Sequence, residues 1–404
     1  MPTSQLPVPP PGRAAAEAFV AEHLRGLFDD EVAASAAFRG GQSAADLALS
    51  ALDVGGYASR RNEVEPPGRR GASRLSPYIR HGLLDLPRVW RAVEGGPGRD
   101  VAKFRDELLW QEYARHWYAR LGDRTGRGIR RELEASAAPG WGRLPCVTKV
   151  VEELERDGWL VNQTRMWLAS HWAIRRGADW REGEDEFFRH LLDGSRAANR
   201  LGWQWTTGVG SSKPYGFSRW QVEKRGSRWC RSCELRDRCP IQDWPDDPSY
   251  VDVEPPTPTG LEGSLAVEVS GVADAVWITA ESLGDDDPAL AANPALPVIF
   301  VFDEPLLRRL RLSSKRLVFL TETLADLAMR RDVRLHLGDP VAVLAKTPVA
   351  VTHAPVPGFA RRARALQPAE VHPWPWLAPP HGRSVSSFSA WRKHARPGTA
   401  YAAS

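Results

Sequence analysis

From Gly12 to about Trp244 the apolar residues recur three and four positions apart, as in AAAEAFVAEHL (14–24), DELLWQEYARHWYARL (106–121), VTKVVEELERDGWLV (147–161) and EDEFFRHLLDG (184–194). One face of a 3.6-residue period is apolar in each, and β-branched runs are few, so this half is predicted to be all-α. The stretch WPDDPSYVDVEPPTPTGLEGS (244–264) breaks the pattern with proline, glycine and acid and reads as an exposed linker. Beyond it come short apolar runs, AVWITA (275–280), PVIFVFD (297–303), VRLHLGD (333–339) and PVAVTH (348–353), with a helical segment around Arg316–Arg330. Strands alternating with helices predict a parallel sheet in a doubly wound α/β domain. The expected division is therefore 1–245 all-α, 246–271 linker and 272–404 α/β.

Charge sharpens the boundary. The formal net charge is only +4. Yet residues 251–300 hold no Lys or Arg and nine acidic residues, while 301–404 hold 16 basic and 7 acidic and 51–150 hold 19 basic and 12 acidic. The sum is too small to argue for nucleic acid by itself; the asymmetry is also what a solvated mixed surface gives, and what it marks is a boundary. No stretch approaches the roughly 18 apolar residues of a membrane span, and MPTSQLPVPPPGR lacks a leader's charged and apolar regions, so a cytoplasmic protein without membrane partners is expected. The 17 Trp against 7 Tyr and 3 Met are an excess that calls for a chemical use.

The segment Tyr57–Gly82, YASRRNEVEPPGRRGASRLSPYIRHG, can offer hydroxyls from Ser73 and Ser76 and charge from Arg74, and Ser76-Pro77 reads as an N-cap followed by proline at a helix start. Glu107 and Trp110, three apart, share one helix face. With GWLVNQTRMWLAS (158–170) and DWREGEDEFFRHLLDGSRAANRLGWQW (179–205), these segments resemble the photolyase/cryptochrome flavoproteins. The resemblance implies FAD held by Tyr57, Arg61, Asn62, Ser73, Arg74, Leu75, Ser76, Phe104, Arg165, Asp193, Ser195 and Asn199. Arg165 and Asp193 would form an ion pair beside the isoalloxazine, and Asn199 would face flavin N5. It further implies a lesion pocket of Glu107, Trp110, Asn162, Met166 and Trp205, and electron transfer through Trp203 and Trp180, with no third member assigned. Ser195 and Gln163 depart from the family pattern, which bears on one flavin contact and on lesion preference.

Four cysteines, Cys146 and then Cys230, Cys233 and Cys239 as C-x2-C-x5-C-P, can supply thiolates to zinc or to an iron–sulfur cluster, and spacing does not choose. With KPYGFSRW (213–220) they resemble the bacterial iron–sulfur branch of the family, which implies a [4Fe–4S] cluster. The second half resembles the α/β antenna domain that normally comes first: DDPALAAN (286–293) is similar to a turn of that domain, and SSFSAWRKHARP (386–397) to the segment that crosses into the helical domain. GGQSAADLALSAL (40–52) resembles the helical domain's first helix. The resemblance thus implies a circular permutation, with an all-α FAD-binding domain first and a Rossmann-like antenna-type domain second. WITAESL (277–283) lacks the arginines of the corresponding strand end, so the antenna chromophore is left unknown. The implied function is a photolyase, a monomeric lyase acting on UV-damaged DNA with reduced FAD and light. The alternative is a cryptochrome-like receptor without repair. A basic rim for DNA is expected from Arg69, Arg70, Arg80, Lys213, Arg219, Lys224, Arg225 and Arg228.

Overall fold

The computed structural model describes residues 4–254, 256–258, 260 and 262–398, so three linker positions and the chain ends lie outside the described residues. Among the described residues the strands are β1 (Ser4–Leu6), β2 (Arg131–Leu133), β3 (Tyr250–Asp252), β4 (Glu268–Val269), β5 (Ala275–Ile278), β6 (Val298–Asp303), β7 (Val333–Gly338), β8 (Val349–Thr352) and β9 (Glu370–His372). Seven form one sheet in the order β1-β7-β6-β5-β8-β9-β4. β5 to β9 run parallel, whereas β1 and β4 close the two edges antiparallel. The chain leaves β5 for β6 and β7 on one side, then returns past it to β8 and β9. That reversal makes β5 and β8 the switch point of a doubly wound sheet.

The sheet is buried on both faces, as parallel sheets are. Val276, Ile278, Val298, Phe300 and Phe302 face one core with helix Ser314–Ala328. Ala275, Trp277, Ile299 and Val301 face the other with Phe359 of helix Pro357–Leu366. The two-residue period of the strands sorts them.

Two features depart from the expected division. β1 pairs with β7, Leu6 opposite Leu335, and helix Arg13–His23 lies on helix Ser314–Ala328 with Phe19 against Phe302, so the first residues belong to the sheet layer. β2 and β3 form a small antiparallel ribbon, Glu132 opposite Val251, so the first half is not purely helical. Strands of three residues carry too little alternation to be read from sequence.

The helices that build the site begin and end on clear signals. Gly98–Leu121 is the longest and carries Glu107 and Trp110. Pro145–Asp157 starts on proline, buries Val147, Val150 and Leu154 at helical spacing, and stops at Gly158, whose φ of 66° is the left-handed turn that sends Trp159 inward. Asp179 caps Trp180–His190 by accepting from the Arg181 N–H, and Gly208, at φ 81°, ends Ala198–Thr207. The segment after β9 returns to helix Gly98–Leu121: Tyr113 Oη donates to the Val385 carbonyl at 2.8 Å, and Glu112 accepts from Ala378 N at 2.8 Å. Among the described residues no helix is long and apolar enough to cross a membrane.

Candidate functional site

One cavity of about 1470 Å³ lies between the helical half and the sheet. It exceeds the roughly 300–1,000 Å³ of an ordinary ligand pocket. The helical wall supplies residues from Tyr57–Ser76, helix Gly98–Leu121, Trp159–Met166 and Asp185–Trp205. The other wall is made by Thr279–Glu281, Asp303 and Ala354, at or just past the carboxyl ends of β5, β6 and β8. Crevices at such a switch point are where these sheets hold ligands.

Most residues singled out in the sequence line this cavity: Tyr57, Arg61, Asn62, Ser73, Arg74, Ser76, Glu107, Trp110, Asn162, Arg165, Met166, Asp193, Ser195, Asn199, Trp203 and Trp205. Arg165 and Asp193 form a two-pronged pair at 3.1 and 2.7 Å, with Asp193 almost fully buried. Arg165 Nε also donates to the Leu160 carbonyl at 3.0 Å, which fixes the plane of the fork. Asn199 is buried and its Nδ2 has no hydrogen-bond partner among the described residues. A buried amide left open this way is costly unless something accepts from it. Glu107 meets Arg61 at 3.2 Å and Lys103 at 2.9 Å. Burial, reinforced by the Glu107 charge, pushes the Tyr57 phenol well up, so it stays a neutral donor.

Three residues stand behind the wall. Leu75 is fully buried in the core. Phe104 packs edge-on against Tyr57 at 5.0 Å and buttresses it. Trp180 is buried in the same apolar cluster as Trp203, with the Arg181 guanidinium 4.9 Å from its ring centre. Ser76 is not the N-cap that its sequence suggests. The helix runs Ser76–Arg80 with Leu75 as the cap residue, and the Ser76 hydroxyl accepts from Trp159 Nε1 at 3.0 Å. Trp110 stacks on Phe388 at 4.0 Å and 12°, so one face of its ring is covered. Of the expected basic rim, Arg69, Lys213, Lys224 and Arg228 are exposed. Arg80, by contrast, is tied to Glu281 at 2.7 Å and to the Gly194 carbonyl at 2.8 Å. Arg70 pairs with Glu153, at 3.0 Å for its longer bond, Arg225 with Glu63 at 2.7 Å and Arg219 with Glu223 at 2.8 Å.

A group of buried ionisable side chains at and behind the cavity wall had not been singled out from the sequence. Glu184 is held by Arg196 and by Arg200 at 3.2 Å, and burial raises its carboxyl above the ordinary range. Arg316, from the sheet layer, donates to the Phe188 and Gly194 carbonyls, and burial lowers it to about 9. His81 bridges the halves, 3.0 Å from the Ala280 carbonyl and 3.2 Å from that of Leu192, and burial keeps it neutral. The buried helix face of Glu184 was a usable signal. Arg316 had none, because its partners are backbone atoms far away in the chain.

The four cysteines are free and line a separate cavity of about 230 Å³ with Trp229 and Ile241. Burial and the neighbouring Cys230 and Cys239 raise the Cys146 thiol to about 12, and burial raises Cys230 to about 11. Among the described residues no set of three or more His, Cys, Asp or Glu side chains is gathered as ligands for a metal ion.

With this geometry in hand, residues 104–231 match the family model described as the FAD binding domain of DNA photolyase. The match supports the photolyase/cryptochrome family. A deoxyribodipyrimidine photo-lyase of Thermus thermophilus is 34% identical over 173 residues, 39% of this chain and 40% of that protein. One from Salmonella typhimurium is 31% identical over 199 residues, 44% of this chain and 41% of that protein. A cryptochrome DASH of Idiomarina loihiensis is 27% identical over 241 residues, 54% of this chain and 51% of that protein. The chain therefore spans about two-fifths to one-half of the length of the photolyase/cryptochrome relatives it matches. The matched domain contains Glu107, Trp110, the Arg165–Asp193 pair, Asn199 and Trp203.

Proposed function

We propose that the cavity holds FAD and that the protein uses it to repair pyrimidine photoproducts in UV-damaged DNA under blue or near-UV light. The reading is carried by the Arg165–Asp193 pair and the open Asn199 amide on the wall of one cavity, inside a stretch similar to a photolyase FAD-binding domain. The residues fit the cofactor: Ser73 and Arg74 on the cavity wall could supply a hydroxyl and a charge to phosphates, and Asn199 Nδ2 offers the donor a ring nitrogen would accept from. When bound and reduced, FAD supplies the light-driven electron. The chain's own residues do the rest. The Arg165–Asp193 pair places a fixed, desolvated charge pair on the wall of the site, and Glu107, held by Arg61 and Lys103, adds a carboxyl to the same wall. Trp205, 45% exposed at the rim with Tyr215 6.2 Å away, offers a ring on which a base taken out of the stack can lie. Asn162 and Met166 line the space between. Trp203, on the cavity wall, is the electron donor for photoreduction, and Trp180 belongs to the same buried cluster.

Two finer points belong to the same reading. The domains are circularly rearranged: the helical domain precedes the antenna-like sheet, and the segment after β9 docks back on helix Gly98–Leu121. Cys146, Cys230, Cys233 and Cys239 carry a [4Fe–4S] cluster, a proposal supported by four thiols around one cavity and tested by iron and sulfide analysis. Zinc without sulfide would replace it.

A receptor reading draws on the stacking of Phe388 over Trp110, which covers a face that a lesion would use. The two part in one experiment. FAD-loaded protein bound to UV-irradiated oligonucleotides loses dimers on illumination if it is a repair enzyme. A receptor takes up and photoreduces FAD but leaves dimers untouched.

A further inference from the structure

Trp203 is 2% exposed on the cavity wall, and what lies behind it is a second tryptophan. Gly183, in helix Trp180–His190, sits where the two rings meet. A Cβ on that glycine would lie 2.8 Å from Trp203 Cζ3, closer still to its Cη2, and 3.0 Å from Trp172 Cδ1. The edges of the Trp203 and Trp172 rings are therefore neighbours across a gap that only glycine leaves open. Trp172, also 2% exposed, stands on the π-helical turn His171–Arg175 and is fixed by Nε1 donating to the Asp179 carbonyl at 2.7 Å. A π-turn aims its side chains off the α-helical stripe and is a recurrent feature of functional helices. Trp172 meets Trp141 with ring centres 4.6 Å apart. Trp141 is only partly buried, in the loop before helix Pro145–Asp157, and so ends the column at the surface. Phe187 fills the angle between them, 5.1 Å from Trp203 and 6.1 Å from Trp141.

Trp180 is differently placed. Its ring carries the Arg181 guanidinium at 4.9 Å. A cation there stabilises the neutral indole by its ring electrons and destabilises a positive hole on it.

We propose that Trp172 and Trp141 relay electrons from the surface to Trp203, as a route distinct from Trp180. The relay rests on the reading of the cavity as a flavin site. One electron passes from Trp203 to the photoexcited oxidised flavin, one from Trp172 to Trp203, and one from Trp141 to Trp172. The hole thus ends on Trp141, whose indole proton goes to water. A small thiol in solution returns one electron and one proton to Trp141, and two thiols so oxidised leave as a disulfide.

The test compares Trp141→Phe, Trp172→Phe and Trp180→Phe in the full FAD-loaded chain. It reads bound FAD by absorbance, the initial rate of flavin photoreduction with thiol, and light-dependent oxygen adducts on Trp141 by peptide mass spectrometry. Trp141→Tyr and Trp172→Tyr restore a ring that can be oxidised and control for lost packing. The relay predicts unchanged FAD content and a fall of about tenfold in rate, equivalent to about 1.4 kcal/mol of barrier, in the first two variants. It also predicts partial rescue by tyrosine, a smaller effect of Trp180→Phe, and loss of the Trp141 adducts in Trp172→Phe. Normal FAD content with unaltered photoreduction in Trp141→Phe and Trp172→Phe, and a large loss in Trp180→Phe, would overturn the relay alone. A wild-type chain that takes up no FAD overturns the flavin reading and the relay with it.

Discussion

Replacing Asp193 by Asn removes one charge from the Arg165 fork while keeping shape and one acceptor oxygen. In the native chain the guanidinium bonds both carboxylate oxygens, at 3.1 and 2.7 Å, and the side chains are 19% and 7% exposed. Breaking a buried pair by removing one partner costs about 3–5 kcal/mol, because the other charge stays desolvated and alone. Arg165 retains some contact with water and its bond to the Leu160 carbonyl, and the introduced amide would still accept one hydrogen bond. These remaining contacts bring the loss below that range, to about 2–3 kcal/mol. Urea unfolding of the apoprotein followed by tryptophan fluorescence measures it, with agreement between probes as the check on a single transition. The Arg165→Gln/Asp193→Asn double variant closes the cycle, and it should be little worse than the worse single change. FAD affinity should fall in all three. A loss under about 1 kcal/mol for Asp193→Asn, the size expected of an exposed pair, would refute the picture of a desolvated fork built to meet the flavin.

Other expectations follow from neighbouring observations. Trp203→Phe should abolish flavin photoreduction and leave FAD bound, read by absorbance before and after illumination. Glu107→Gln should lower repair yield with the flavin spectrum unchanged, since removing one placed group at a developing charge is worth roughly 2.7–4 kcal/mol; dimer counts per photon absorbed check it. Asp287 caps helix Pro288–Ala292 and accepts from Thr352 Oγ1 at 2.8 Å, and its burial pushes the carboxyl to about 6. The native state then holds a proton that the unfolded chain has released above about 3.9. Stability should therefore fall by about 2–3 kcal/mol as pH rises from about 4 to about 6, and Asp287→Asn, which keeps the cap oxygen, should flatten that slope in denaturant titrations.

What the sequence made legible, and what it hid, divides along the range of the interactions. Helix Pro145–Asp157 shows itself through Pro145, Gly158 and the spacing of Val147, Val150 and Leu154, all local. The strands β5 and β6 show themselves as short apolar runs, and buried parallel strands need no other signal. The residues lining the cavity came from motif spacing, which preserves side-chain type but not surroundings. Hence Leu75 and Phe104, expected at the cofactor, do not line the cavity, Leu75 being fully buried and Phe104 packed against Tyr57. Ser76 read as a cap because Ser-Pro often is one, but the Trp159 indole claims its hydroxyl. β1, the Phe388 stack on Trp110, and Arg316 could not be read, because each depends on a partner more than a hundred positions away.

The central claim, a flavin site that repairs DNA with light, meets its most direct test in a count of pyrimidine dimers. FAD-loaded, fully reduced protein is incubated with UV-irradiated oligonucleotides, half in blue or near-UV light and half in darkness. The account predicts that dimers disappear in the illuminated samples alone. Dimers that persist equally in light and darkness, in protein shown to hold reduced FAD, would contradict it.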